Sequence, residues 1–450
     1  MKKRFDLVVL GTGAAASTVA QTCRAAGWEV AIVDSLPFGG TCALRGCDPK
    51  KVLVGAAEAV DWARRIRGNG FQGDGLGLNW PELMRFKRTF TDPVPKNREE
   101  TFAQAGILAF HGRAHLVGRT AVEINQEVLE SRYVVIATGA KPRKLNIPGE
   151  HYITTSDQFL ELESLPQRIL FIGGGYISLE FAHVSLRANR DVTILHRGKR
   201  LLEGFDSDLV QQLFDKTQQL GARIHLQAEV KAVEKNDRGS KIHAQVAGAQ
   251  KTFDADLAVH GAGRVPDIED LNLPAAEVEA DNRGIRVNDY LQSVSNSAVY
   301  AAGDAAASGG PPLTPVAGYE GRVVAANLLE GNHTRARYVA VPTVAYTIPP
   351  LASVGLSEES ARGKGLKFHT HREITNSWYS SRRVAEDCSG FKVLIEDETD
   401  RVLGAHLLGP HAEEVINLFA FAMATNARAS DLRETIFAYP TVASDIRYML

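Results

Sequence analysis

Residues 5 to 10, FDLVVL, form an apolar run of the length expected for a parallel strand buried on both faces. The small-residue stretch GTGAAA follows, and a helical pattern runs to about Ala26. WEVAIVD then supplies a second strand ending at Asp34, completing a strand–turn–helix–strand unit. The same order recurs at RILFIGGGYISLEFAHV followed by DVTILHR, so the pattern predicts two dinucleotide-binding domains. SRYVVIATGAKPRKLNIPG and SNSAVYAAGDAAA each read as a buried strand that meets small residues at its end. From VPTVAYT (341 to 347) the pattern changes to strands with polar alternation, then to an apolar helix near 412 to 427. That change marks a third, α+β domain, with boundaries near 150, 270 and 338. The fold class is α/β, with two Rossmann-like domains and a C-terminal α+β domain.

A chain of 450 residues is too long for one core and suits two or three domains. A formal net charge of −2 gives no electrostatic case for nucleic acid or anionic lipid. Forty glycines fit the tight turns and close backbone approaches of nucleotide-binding loops. Lys2, Lys3 and Arg4 before an apolar stretch resemble a secretory signal. Against that, Asp6 interrupts the stretch, and Gly11 and Gly13 fall where a nucleotide loop puts them. The apolar segment Val415 to Ala424 is far short of a bilayer span, so the expectation is a soluble, cytoplasmic protein. The four cysteines, Cys23, Cys42, Cys47 and Cys388, are too few for a disulfide scaffold, and a close pair in a reducing compartment reads as catalytic or metal-binding.

In the first loop Gly11 permits the tight turn and Gly13 lets backbone approach a pyrophosphate at the helix N-terminus. Ala16 allows close helix–strand packing, and the Asp34 carboxylate can accept hydrogen bonds from ribose hydroxyls. The second loop places Gly173, Gly175 and Tyr176 between strand and helix. Its second strand leads into His196-Arg197-Gly198-Lys199-Arg200 with no acid at the tip, which favours the 2′-phosphate of NADPH over the 2′-hydroxyl of NADH. Gly39-Gly40-Thr41-Cys42-Ala43-Leu44-Arg45-Gly46-Cys47-Asp48-Pro49-Lys50-Lys51 carries two cysteines five apart, which meet if the segment is helical. No second cysteine pair accompanies them to complete a metal site.

GGTCALRGCDPKK resembles the redox-disulfide signature of the class I flavoprotein (pyridine nucleotide) disulfide oxidoreductases, the family of glutathione reductase, dihydrolipoamide dehydrogenase and mercuric reductase. ATG (137 to 139), GGGYISLE (173 to 180), GAGRVP (261 to 266), YAAGD (300 to 304) and LTPVA (313 to 317) occur in the family's order. The resemblance implies an FAD-binding domain split over 1–150 and 271–338, an NAD(P)-binding domain over 151–270 and a dimerisation domain over 339–450 of a homodimer. It implies FAD and NADPH (or NADH) as cofactors, with Cys42 as the interchange thiol and Cys47 as the thiol against the flavin. Lys50 would lie near the flavin and pair with Glu180, Tyr176 would gate the nicotinamide pocket, and Asp304 would hold the ribityl or phosphate region. Gly40, Thr41, Lys51, Thr138, Gly139, Gly263, Arg264, Gly303, Thr314 and Pro315 complete the implied cofactor contacts. Asp48 replaces an apolar residue common in the family and is expected to point away from Cys47, because an inward carboxylate would disfavour its thiolate.

The chain departs from the family near its C-terminus. Where members that reduce dithiol substrates carry His-Pro-Thr and a glutamate, it reads Tyr439-Pro440-Thr441-Val442-Ala443-Ser444. A phenol, with an ordinary pKa of ~10, is a poor base at neutral pH but a good hydrogen-bond donor. Mercuric reductase is similar in having a tyrosine there, although its C-terminal cysteine pair has no counterpart before Leu450. The acceptors implied are a disulfide, a soft metal bound by the thiols, or a lipoyl group on a dedicated carrier. A redox sensor with slow turnover is the reading from another class. Among other residues, Cys23 reads as a packed thiol and Cys388 as part of a polar turn. Trp378, Tyr379, Arg382 and Arg383 read as a solvated strand edge or a substrate approach. His411, Glu413 and Glu414 read as a helix start or a metal cluster. No resident metal is expected.

Overall fold

The computed structural model describes residues 3–73, 75–236 and 239–450, so Lys2 lies outside it. The chain divides into two compact units. One comprises Met1–Pro49, Phe86–Arg143 and Arg264–Tyr338; the other comprises Lys50–Arg85, Lys144–Gly263 and Val339–Leu450.

The first unit is organised by a seven-stranded sheet. Its strand Lys3–Leu10 runs parallel to both neighbours, with Leu7 opposite Val30 on one side and Tyr133 on the other. Successive side chains point to opposite faces, so each face needs its own apolar set. Leu7 and Val9 pack with Ala16, Val19 and Val323, whereas Val8 and Leu10 pack with Leu116 and Ile285. Two buried faces explain why the run is apolar at nearly every position. The strand begins two residues earlier than the pattern predicts, because Lys3 pairs with Glu127 at 2.8 Å and Arg4 with Glu130 at 3.6 Å. The helix Ala14–Ala25 and the strand Val30–Asp34 complete the nucleotide-binding unit.

In the second unit a four-stranded parallel sheet places Asp191–Leu195 and Leu257–His260 on either side of Arg168–Ile172, with Arg223–His225 outermost. Beyond residue 340 lies a separate five-stranded antiparallel sheet. The helix Ala412–Ala424 covers that sheet, burying Val415, Ile416 and Phe419 against Val354, Val393 and Ala405. It stops three residues short of the predicted 427. The solvated strand edge expected around Trp378 is instead a helical turn, Tyr379–Arg382. Trp378 is held there by its indole N–H donating to Glu373 and by ring contacts with Phe391 and Tyr448. Among the described residues no helix is long and apolar enough to cross a membrane.

One ion cluster ties the helix Ser207–Gln219 to the C-terminal sheet. The Lys392 side chain is only 3% exposed, with Asp206 at 2.9 Å, Asp208 at 2.7 Å and Glu358 at 3.2 Å. Hydrogen bonds from Lys392 to Asp208, and from Arg362 and Lys392 to Glu358, hold both carboxyls below their usual range. Depressed carboxylates contribute stability above an unfolded-state pKa of ~4 and lose it as pH falls through the folded value. Lys392→Met strands Asp206, which is equally buried, and is expected to cost about 3–5 kcal/mol at neutral pH. Urea unfolding across pH checks this: the deficit should be full at pH 7 and shrink below about pH 4 as the carboxylates protonate.

Candidate active site

In the first unit, backbone approaches that only glycine permits build a cradle. Gly11 has φ +107°, and a Cβ there would lie 2.3 Å from the Ala137 carbonyl oxygen. Gly40 has φ +73°, and its Cβ would lie 2.5 Å from the Cα of Gly13. Gly13 caps the helix Ala14–Ala25, on which Ala16 is fully buried. Asp34 ends its strand with the carboxylate accepting from the Thr12 hydroxyl at 2.7 Å and the Leu36 N–H at 2.9 Å. Thr138 follows the strand Glu127–Ile136 with its hydroxyl oxygen buried and without a partner among the described residues, and Gly139 follows with φ +73°. Gly303 and Asp304 form a short turn, where burial pushes the Asp304 carboxyl up against the opposing pull of Arg264. Arg264 itself donates to the Ala140 carbonyl.

The cysteine segment is not the continuous helix that five-residue spacing suggests. A short helix Gly40–Arg45, carrying Thr41 and Cys42, ends at Gly46, and Cys47 opens a new helix, Cys47–Arg65. A Cβ at Gly46 would lie 3.0 Å from the Thr41 carbonyl oxygen and 3.3 Å from the Cys42 Cα. That close approach folds Cys47 back toward Cys42, near enough for the two thiols to influence each other's protonation. Thr314, which with Pro315 opens the helix Thr314–Glu330, sets its hydroxyl 3.6 Å from the Cys47 Sγ. The Asp48 carboxylate lies 3.9 Å from the Cys42 Sγ. The hydrogen bond with Cys47 raises the Cys42 thiol most, followed by burial and the charges of Cys47 and Asp48; Thr314 works the other way.

In the second unit, Lys50 forms an ion pair with Glu180, whose side chain is 1% exposed. The ammonium also sits 4.9 Å from the centre of the Tyr176 ring. Lys51 lies over the Tyr346 ring at 4.4 Å and reaches Glu58 at 3.5 Å. Gly173 has φ +119°, and a Cβ there would lie 2.2 Å from the Gly261 carbonyl oxygen; Gly175 caps the helix Tyr176–Arg187. Gly263 also has positive φ, +102°. Arg197 is exposed, and Glu203 turns back to place Oε1 3.7 Å from His196 Nε2. Tyr439 is 82% exposed. Ser444, in the position of the family's glutamate, donates instead to the Thr441 carbonyl at 2.6 Å.

Of the remaining candidates, Cys23 and Cys388 are buried, and burial pushes each thiol up to about 12. His411 occupies the N-cap position of its helix without making a side-chain cap. Among the described residues no group of three or more His, Cys, Asp or Glu is arranged to hold a metal.

Sequence reasoning missed the groups that brace these residues. Glu320 accepts from the Gly303 N–H at 2.6 Å and from the Ser308 and Tyr338 hydroxyls at 2.5 Å, fixing the turn that bears Asp304. Glu180, His183 and Arg187 grip one segment together: Glu180 accepts from the Tyr346 N–H at 2.8 Å, and His183 from the Ile348 N–H at 3.0 Å. Arg187 donates to the Ile348 carbonyl at 2.9 Å and pairs with Asp61 at 2.7 Å. The available signal was a polar residue on the buried face of an otherwise apolar helix, which needs an internal partner.

Residues 5–321 match the family described as pyridine nucleotide-disulphide oxidoreductase, and residues 341–450 match its dimerisation domain. The chain belongs to the pyridine nucleotide-disulphide oxidoreductases. It is 33% identical to a glutathione reductase of Burkholderia cepacia over 99% of this chain and 98% of that one. Identity to a mercuric reductase of Bacillus cereus is 31%, over 98% of this chain and 70% of the relative. A dihydrolipoyl dehydrogenase of Chlamydia muridarum is also 31% identical, over 98% and 95%. Among solved structures, the Cu(II) complex of the HOCl-induced flavoprotein disulfide reductase RclA from Escherichia coli superposes with a TM-score of 0.88. That pair is 25% identical, with 99% of each chain covered.

As a family member this chain is an FAD-dependent enzyme that draws electrons from NAD(P)H. Its residues fit FAD: the cradle at Gly11 and Gly40 has no room for a Cβ, and Thr138 offers a buried, unpartnered hydroxyl oxygen. Gly40→Ala is therefore expected to lower bound flavin severalfold, because its Cβ would drive Gly13 out of place at a positive φ. Gly318→Ala, with nothing within 4 Å, should leave flavin content unchanged. The check is the flavin-to-protein absorbance ratio after gel filtration, with circular dichroism to establish that each variant is folded.

Proposed function

We propose that this enzyme passes electrons from NADPH through FAD to the Cys42–Cys47 pair, and from there to a soft metal ion held by the thiolates rather than to a small free disulfide. In this reading the FAD-binding domain comprises 1–150 and 271–338, the NAD(P)-binding domain 151–270 and the dimerisation domain 339–450. Gly11, Gly13, Ala16, Asp34, Gly40, Thr41, Lys51, Thr138, Gly139, Arg264, Gly303, Asp304, Thr314 and Pro315 serve FAD. Gly173, Gly175, Tyr176, Arg197 and Gly263 serve the nicotinamide nucleotide. FAD held by these residues would supply two-electron chemistry between the nicotinamide and the Cys42–Cys47 pair. Lys50, oriented by Glu180, supplies positive charge for the reduced state, and the Thr314 hydroxyl steadies Cys47.

The observation that carries the acceptor is Tyr439. Disulfide reduction ends with thiolates that must be protonated, a step where a base of near-neutral pKa is worth ~10²–10⁴-fold. Position 439 offers a phenol rather than an imidazole, and the Ser444 hydroxyl is committed to Thr441. A metal ion bridged by two thiolates takes electrons without requiring a proton on a sulfur leaving group. The phenol, 82% exposed on its own subunit, is free to face Cys42 of a second copy and position the acceptor. The relatives named mercuric reductase and the Cu(II) complex of RclA support a metal acceptor.

Two outcomes test this reading. Reduced enzyme should be reoxidised faster by Hg(II) or Cu(II) than by glutathione disulfide or lipoamide. Tyr439→His with Ser444→Glu should raise the glutathione disulfide rate at least tenfold. Fast wild-type turnover of glutathione disulfide that the double variant does not improve excludes the metal reading, and rapid turnover of a lipoyl protein alone points to a carrier. For the donor, Arg197→Ala should lower kcat/KM for NADPH roughly ten- to a hundredfold, the loss of one charge-assisted phosphate contact of ~1.5–3 kcal/mol, and leave NADH unchanged. Equal use of both nucleotides by wild type and variant overturns that preference.

A further inference from the structure

Asp48 lies next to Cys47 in sequence but turns to Cys42. Its Oδ1 is 3.9 Å from the Cys42 Sγ, close to the outer limit for a hydrogen bond to sulfur, so the interaction is chiefly that of a fixed charge beside a thiol. Asp48 is in the first turn of the helix Cys47–Arg65, where the helix dipole favours a negative charge, and it is exposed. Cys42 is partly exposed and Asp48 exposed, so an acceptor approaching the Cys42 sulfur meets the carboxylate beside it. The other groups set against the Cys42 thiol are Cys47 and the Thr314 hydroxyl, with Arg45 in the last turn of its own helix.

We propose that Asp48 is a specificity-determining residue, a charge filter that turns anionic acceptors away from Cys42 and admits neutral or cationic ones. The proposal rests on the reading of Cys42 as the thiol that meets the acceptor, and it gives that site a substrate class. Two effects of the carboxylate act together. It opposes formation of the Cys42 thiolate, in the direction already set by Cys47 and burial. It also repels any acceptor whose reacting atom carries a carboxylate a few ångströms away, while attracting a metal cation. Near a surface, unit charges about 4 Å apart interact by enough to change a rate severalfold to a hundredfold. The exposure of Asp48 puts this case at the lower end, and salt should weaken it.

The experiment needs no knowledge of the physiological acceptor. Holoenzyme reduced anaerobically with NADPH is alkylated with iodoacetamide, which is neutral, or iodoacetate, which is anionic. Peptide mapping assigns the label to Cys42 or Cys47. The thiolate attacks both reagents and displaces iodide from each, so the ratio of their rates at Cys42 cancels its thiolate fraction and reads the charge filter alone. Asp48→Asn is expected to raise the iodoacetate-to-iodoacetamide ratio about fivefold at low salt, and Asp48→Lys to raise it further. The wild-type ratio should climb toward the Asp48→Asn value in 0.5 M salt, as a Debye length of only a few ångströms dictates. A ratio unchanged by both substitutions and by salt overturns the filter. Preferential labelling of Cys47 in wild type would overturn the assignment of Cys42 as the interchange thiol, while the Cys42 ratio still reports on Asp48.

Discussion

An ammonium and a carboxylate withdrawn from water lose several kilocalories per mole of hydration each, and remain together only where geometry and further hydrogen bonds repay that loss. The Lys50–Glu180 pair meets the condition. Glu180 spends its other oxygen on the Tyr346 N–H, and the same helix reaches the Ile348 backbone through His183 and Arg187. Arg187 then meets Asp61, which lies on the helix that carries Lys50. Two ion pairs, one near each end of the contact, therefore lock that helix to Tyr176–Arg187. Burial keeps His183 neutral and able to accept from the Ile348 N–H, since desolvation, assisted by the charge of Arg187, drives its pKa well down. The position of the Lys50 charge thus depends on Glu180 directly and on His183, Arg187 and Asp61 behind it.

Much of this was legible in the chain because nucleotide-binding loops impose rules that local sequence must obey. A Cβ at Gly11 or Gly173 collides with a carbonyl oxygen, so only glycine serves, and each glycine ends an apolar run that only a doubly covered strand needs. The pairing of Lys50 with Glu180 came from resemblance, since 130 positions of chain separate them and no local period links the two. The break at Gly46 was not legible. Five-residue spacing suits one continuous helix, and only the contact of Gly46 with Thr41 and Cys42 shows two helices meeting at a fold. Glu320 was missed for a related reason: its three donors, Gly303, Ser308 and Tyr338, lie on both sides of it in the chain and outside its helix. Trp378 was misread because an aromatic and two arginines in a polar stretch carry no periodicity that separates a short helical turn from a strand edge.

The two halves of the reaction make different demands on the protein, and the chain's departures from its family concern only one of them. In the reading proposed here, delivery of electrons to the cysteine pair would draw on the nucleotide cradles, the Lys50–Glu180 pair and a thiol beside Thr314, and each has its expected residue type. Release of electrons to an acceptor requires a group that manages protons and an entrance that tolerates the acceptor's charge. The proposed reading assigns those two places to Tyr439, in place of a histidine, and to Asp48, in place of an apolar residue. In the reading proposed here both changes act in the same direction. A phenol removes the proton transfer that a leaving thiolate needs, and a carboxylate beside Cys42 disfavours both its thiolate and any anionic partner. A metal cation escapes both penalties, because it brings positive charge to the carboxylate and displaces protons from thiols on binding, whereas a carboxylate-bearing disulfide incurs both. One substitution alone would slow disulfide exchange; the pair changes which acceptor is chemically competent.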